Sequence, residues 1–93
     1  MELQKKIDAL IQNLEFERVH LNGIPLLKYN DSYYKISYIE GLNSYVIEFA
    51  KSYDEAAKNM FEDGDVYPLS LGEDKLINEM HHDLIKYYLN KLN

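Results

Sequence analysis

The sequence predicts an α+β fold: an antiparallel sheet of three to four strands with one helix before it and two after it. The element order is α-β-β-β(-β)-α-α, with the helices mainly on one face of the sheet. Three observations predict it. Residues 2 to 14 carry apolar side chains at helical spacing. Residues 33 to 49 hold two runs of β-branched and aromatic residues around Gly41-Leu42-Asn43. From Lys51-Ser52 onward the apolar period changes from two residues to about 3.6.

In the first helix Leu3, Ile7, Leu10, Ile11 and Leu14 form the apolar stripe, and Lys5, Lys6, Asp8, Gln12 and Asn13 face water. Phe16 to Leu21 alternates weakly and runs into Asn22-Gly23, a strong turn signal because both residues tolerate positive φ. Ile24 to Tyr29 is the returning strand. Pro25 cannot donate to a ladder, so this strand is expected at an edge or starting after the proline. Asn30-Asp31-Ser32 is a second turn.

The central pair follows. Tyr34, Ile36 and Tyr38 share a face, as do Tyr45, Ile47 and Phe49, which gives one apolar face and one mixed face. Ser52-Tyr53-Asp54-Glu55 reads as a capping box, with Ala56, Ala57, Met60 and Phe61 as a buried stripe and Gly64 as a left-handed cap. Asp65 to Leu69 is then a loop that Pro68 holds extended. Ser70-Leu71-Gly72-Glu73 reads as a second capping box, Leu71 being an apolar anchor. A long helix from about Gly72 to Leu92 buries Leu76, Ile77, Met80, Leu84, Tyr87, Tyr88 and Leu92.

Ninety-three residues make one domain, 1–93, with a thin margin for a core. The apolar fraction of 46% and charged fraction of 28% are those of a globular chain. With no cysteine, disulfides and thiolate metal sites are excluded, and stability rests on packing. The start Met-Glu-Leu-Gln-Lys-Lys lacks the apolar run of a signal peptide, and no stretch is long enough to cross a bilayer, so a cytoplasmic protein is expected. A net charge of −6 repels phosphates and argues against nucleic-acid binding; it suits solubility or a basic protein partner.

The chemistry-bearing residues form no catalytic set. His81 and His82 are adjacent, so on a helix they point about 100° apart and cannot easily share one ion. Helical metal pairs want a spacing of about four, and no histidine stands there. Glu62-Asp63-Gly64-Asp65 resembles a calcium-loop fragment, but the register puts Phe61 at the third ligand and Ser70 at the twelfth. G-x-S-x-G, the P-loop and G-x-G-x-x-G are all missing. No cofactor, no metal and no enzymatic activity are expected.

Two surface features remain. Asp54, Glu55, Glu73 and Asp74 sit in first helical turns, where the dipole favours them. Glu62, Asp63 and Asp65 lie at a predicted helix C-terminus, where carboxylates are disfavoured, and so are candidates for binding a partner. Nine tyrosines are many for this length, and tyrosine is enriched at interface hot spots. On the mixed sheet face Tyr33, Lys35, Ile39, Val46 and Glu48 are the candidate contacts, with Leu26 and Lys28 beside them.

The run Ser44-Tyr45-Val46-Ile47-Glu48-Phe49-Ala50, then Ser52-Tyr53-Asp54-Glu55-Ala56-Ala57, then Phe61-Glu62-Asp63-Gly64-Asp65 passes from an aromatic strand into a helix with an acidic exit. With the leading helix and the acidic, cysteine-free composition, it resembles the small immunity proteins of bacterial polymorphic toxin systems over roughly residues 33 to 75. That resemblance implies stoichiometric binding of a cognate toxin domain, with an acidic surface covering a basic active site. Two other readings stand beside it: a phage-type or regulatory inhibitor that mimics DNA charge, and a housekeeping domain that forms a homodimer through the outer sheet face.

Overall fold

The computed structural model describes residues 2–89. It is an α+β fold built on a five-stranded antiparallel sheet in the simple order β1-β2-β3-β4-β5. Helix α1 (Glu2–Gln12) leads into β1 (Glu17–Leu21), β2 (Ile24–Tyr29), β3 (Ser32–Ile39) and β4 (Ser44–Ala50). Helix α2 (Tyr53–Ala57), β5 (Glu62–Pro68) and helix α3 (Glu73–Asp83) follow, and a π turn over Leu84–Tyr88 extends α3.

The turns form where side chains tolerate left-handed backbone. Asn22 at φ 53° and Gly23 at φ 80° join β1 to β2, and Asn30 at φ 54° begins the turn into β3. Asn43, at φ 46°, closes a single 3₁₀ turn before β4. The inner sheet face carries Leu27, Tyr34, Tyr45, Ile47 and Tyr67 against Leu3, Ile7 and Ile11 of α1 and Leu76, Met80 and Leu84 of α3. Ile7, Ile47, Leu76, Met80 and Leu84 are fully buried. Each such side chain contributes about 1.5–3 kcal/mol relative to exposure. The Tyr45 hydroxyl donates to Gln4 Oε1 at 3.0 Å and orients α1 over the sheet.

Several expectations change. The sheet has five strands, not three to four, because residues 62 to 68 pair with β4 rather than forming a loop. Pairing shifts between Val46 and Glu48, so Ile47 stands opposite a bulge at Gly64 and Asp65. Gly64 is not a left-handed helix cap. A Cβ there would meet the Tyr88 hydroxyl and lie 2.9 Å from the Ile47 carbonyl oxygen, so close approach requires the glycine.

The second helix is also shorter than its sequence suggests. Ser52 caps it as expected, its hydroxyl accepting from the Glu55 N–H at 3.2 Å. But the helix stops at Ala57, and Asn59 takes φ 56°, which leaves Met60 exposed. Helix α2 lies on the outer face, where Ala56 packs with Leu26, Tyr33 and Ala50. Only α1 and α3 share the inner face.

The second capping box does not form. Ser70 sits inside a 3₁₀ turn, and Gly72 is the N-cap of α3 at φ 88° without a side-chain bond. In the π turn the Leu89 N–H bonds to the Leu84 carbonyl at 2.8 Å, one residue further on than in an α-helix. The buried stripe therefore slips from Leu84 to Leu89, and Tyr87 is turned outward, 63% exposed. Leu92 lies outside the described residues.

Pro25 does not mark an outer strand, since β2 is second in the sheet. It marks where β2 leaves β3. Residues flanking a two-residue turn bond to each other, and alternate residues beyond them point to the same neighbour. Leu21 and Ile24 flank one turn, and Tyr29 and Ser32 the next. Hence Tyr29, Leu27 and Pro25 aim their backbone groups at β3, and Ser32, Tyr34, Ile36 and Tyr38 aim theirs at β2. The pairing ends at Leu27↔Tyr34. The next rung would join Pro25, which has no N–H, to Ile36.

Candidate functional site

Two regions carry the candidate residues. On the outer face, α2 covers only one end of the sheet. Tyr33, expected to be available, is 8% exposed beneath it and meets the Tyr53 ring edge-on at 6.3 Å. Lys35 holds its ammonium at the surface against the fold, 4.5 Å from the Phe61 ring centre and donating to Asn59 Oδ1 at 3.5 Å.

Beyond α2 the outer face is exposed at its margins, at Ile39 and Val66, while Ser44 and Val46 between them are buried. Cross-strand partners share a face, so Ser37, Val46 and Val66 form one row and Lys35, Glu48 and Asp63 the next. Val46 is itself buried, but Val66 and Ile39 are 47% and 36% exposed. The result is an apolar end of sheet bordered by the half-buried Glu48 and the exposed Asp63.

The three clustered acids separate. Asp63 pairs with Glu48 and Glu62 with Phe49, which places them on opposite faces of β5, both exposed. Asp65 is committed inward. Its carboxylate accepts from the Tyr88 hydroxyl at 2.9 Å, and its N–H donates to the same oxygen at 3.1 Å. Next to it the Tyr67 hydroxyl donates to Asp83 Oδ2 at 2.7 Å. Burial first, and then these carboxylates, push both tyrosine hydroxyls well above their usual range. They remain donors at neutral pH and fasten the π turn to β5; they are not poised as acids or bases. The exposed Glu62 and Asp63 instead blunt the edge strand β5, where like charges discourage pairing with another sheet.

The second region is the seam between β2 and β3, which the sequence did not single out. Two features hold it open. Pro25 removes the next rung, and Asn22 Nδ2 donates to the Ala57 carbonyl at 3.1 Å, tying the β1–β2 turn to α2. Val19, Leu21 and Leu26 of the hairpin pack with that outer cluster. A cleft of about 420 Å³ results, bordered by Arg18, His20, Pro25 and Ile36, with Gln4 and Asp8 of α1 along one side.

His81 and His82 are exposed, and His82 Nδ1 lies 3.6 Å from Asp83 Oδ1. Among the described residues no group of three or more histidines or carboxylates could hold a metal ion. No described helix is long and apolar enough to cross a membrane. A scan against protein-family models, a search of curated proteins and a search of solved structures each return no match.

Proposed function

We propose that this chain is a non-enzymatic protein-binding module, acting as immunity proteins do by occluding a cognate toxin domain. One observation carries the reading: the end of the outer face where Ile39 and Val66 stand exposed, with Asp63 in the row next to Val66. Exposed apolar side chains bordered by charge are the composition of a docking surface, with the apolar residues as anchors and the acids as steering groups. A chain of net charge −6 is drawn to a basic partner. Within this reading Glu62 and Asp63 steer, Ile39 and Val66 anchor, and Asp65, Tyr33 and Lys35 support the fold rather than touch the partner.

The test begins with the gene beside this one. Its product, if a toxin domain, is purified and titrated with this chain by calorimetry, and growth is followed on co-expression. A one-to-one complex and restored growth are expected. No association at micromolar concentration, or self-association of this chain through Val66 in its place, overturns the proposal.

A further inference from the structure

The seam between β2 and β3 has a chemistry distinct from that of the outer face. Ile36 and Tyr38 point their N–H and C=O groups toward β2, and no rung beyond Leu27↔Tyr34 meets them. Lys35, Ser37 and Ile39 are paired with Glu48, Val46 and Ser44 on the other side, so β3 itself is held straight and ordered. Ile36 borders the cleft of about 420 Å³ and Tyr38 continues the row of strand-spaced backbone groups just beyond it; such a row selects for an extended backbone, because only that places a donor and an acceptor at every second residue.

The side chains around the cleft add a charge preference. Arg18 pairs in register with Leu27 and is exposed at the mouth, without an ion-pair partner among the described residues. His20, opposite Pro25, is exposed beside it. Asp8, the acid on the α1 side of the cleft, accepts from the Gln4 amide at 3.0 Å and keeps its charge, so an incoming carboxylate is favoured on the Arg18 side alone. In an acidic protein this leaves a guanidinium that has no ion-pair partner among the described residues on the β1 side of the cleft whose β3 side is Ile36.

We propose that this cleft receives an extended segment of the partner protein, which pairs with β3 at Ile36 and Tyr38 and sets a carboxylate against Arg18. The inference rests on the protein-binding reading and adds a strand-addition mode to it. Pairing by main chain gives affinity, Pro25 keeps the slot from closing on itself, and Arg18 selects a segment with an acidic residue.

The experiment uses the intact chain and a phage-displayed library of random linear peptides as the probe. Enriched sequences are expected to alternate apolar residues and to carry Asp or Glu. Resynthesis with N-methyl groups on the residues that face β3 should weaken binding on the order of tenfold while leaving every side chain in place. Arg18→Glu, at an exposed position, should weaken it similarly. Amide exchange at Ile36 and Tyr38 should slow when the peptide is bound.

A library that yields no enrichment, or peptides indifferent to N-methylation, overturns the strand-addition proposal. Peptides or a toxin partner that shift Ile39 and Val66 but leave Ile36 and Tyr38 unchanged also overturn it, while the binding-module reading survives. Failure of the neighbouring gene product to bind falls instead on that broader reading.

Discussion

Replacing Gly64 with alanine should destabilise the protein through one identifiable pair of hydrogen bonds. The new Cβ would occupy the place of the Tyr88 hydroxyl and approach the Ile47 carbonyl oxygen to 2.9 Å. The carbonyl belongs to the central ladder and gives little, so the tyrosine must withdraw. Tyr88 then loses its bond to the Asp65 carboxylate and the bond it accepts from the Asp65 N–H. A bond to a charged group is worth about 1.5–3 kcal/mol and a neutral one about 1 kcal/mol. The reduced freedom of the unfolded chain returns about 0.4–1 kcal/mol. The net loss is about 2–3 kcal/mol, or roughly 10–20 °C in Tm for a domain of this size. Urea unfolding followed by circular dichroism measures it. In a Tyr88→Phe background the same substitution should cost less by about 2.5–4 kcal/mol, since both bonds are already gone. A loss below about 0.5 kcal/mol, or equal losses in both backgrounds, would refute the reasoning.

Tyr67 and Tyr88 have their hydroxyl pKa raised in the folded state above the unfolded value of 10.0, so their stabilisation is complete below that pH and is lost as pH rises above it. Thermal melts between neutral and strongly alkaline pH should show a steep alkaline limb that Tyr67→Phe flattens; an unchanged limb would count against the burial of that hydroxyl. Pro25→Val restores an N–H opposite Ile36 and should extend the β2–β3 ladder, with a stability change within about 1 kcal/mol because the new bond and the lost proline rigidity offset each other. Loss of selected-peptide binding in this variant is expected, and full retention would exclude the seam as the slot. Glu62→Lys with Asp63→Lys should leave the urea midpoint nearly unchanged, both side chains being exposed, and should lower the association rate with a basic partner most at low salt. An unaltered rate removes these acids from the interface.

The meander and its inner face were legible because local chemistry and tertiary packing agree there. Asn22-Gly23 and Asn30-Asp31 set the turns, and the alternation of Tyr34, Ile36, Tyr45, Ile47 and Phe49 set the face that meets the helices. β5 was not legible. Glu62-Asp63-Gly64-Asp65 has poor strand propensity, and it is extended because β4 offers an open ladder and Tyr88 and Ile47 leave room only for glycine. The coverage of Tyr33 was hidden for another reason: the Ser52 cap and Ala56 announce the helix at residues 53–57, but local sequence does not say which face of the sheet it covers. Tyr87 was misplaced because an α-helical period was carried through a π turn. The seam was half legible. Counting rungs outward from Asn22-Gly23 puts Pro25 on the side facing β3, which distinguishes an interrupted inner strand from an edge strand.

Amide hydrogen exchange along β3 in the free protein tests most directly whether the sheet is open where a partner segment could enter. Fast exchange at Ile36 and Tyr38, with protection at Lys35 and Ser37 from their pairing with β4, is the expected alternation. Uniform protection across Lys35 to Tyr38 would mean that β2 closes on β3 in solution, and would contradict both the open seam and the strand-addition mode built on it.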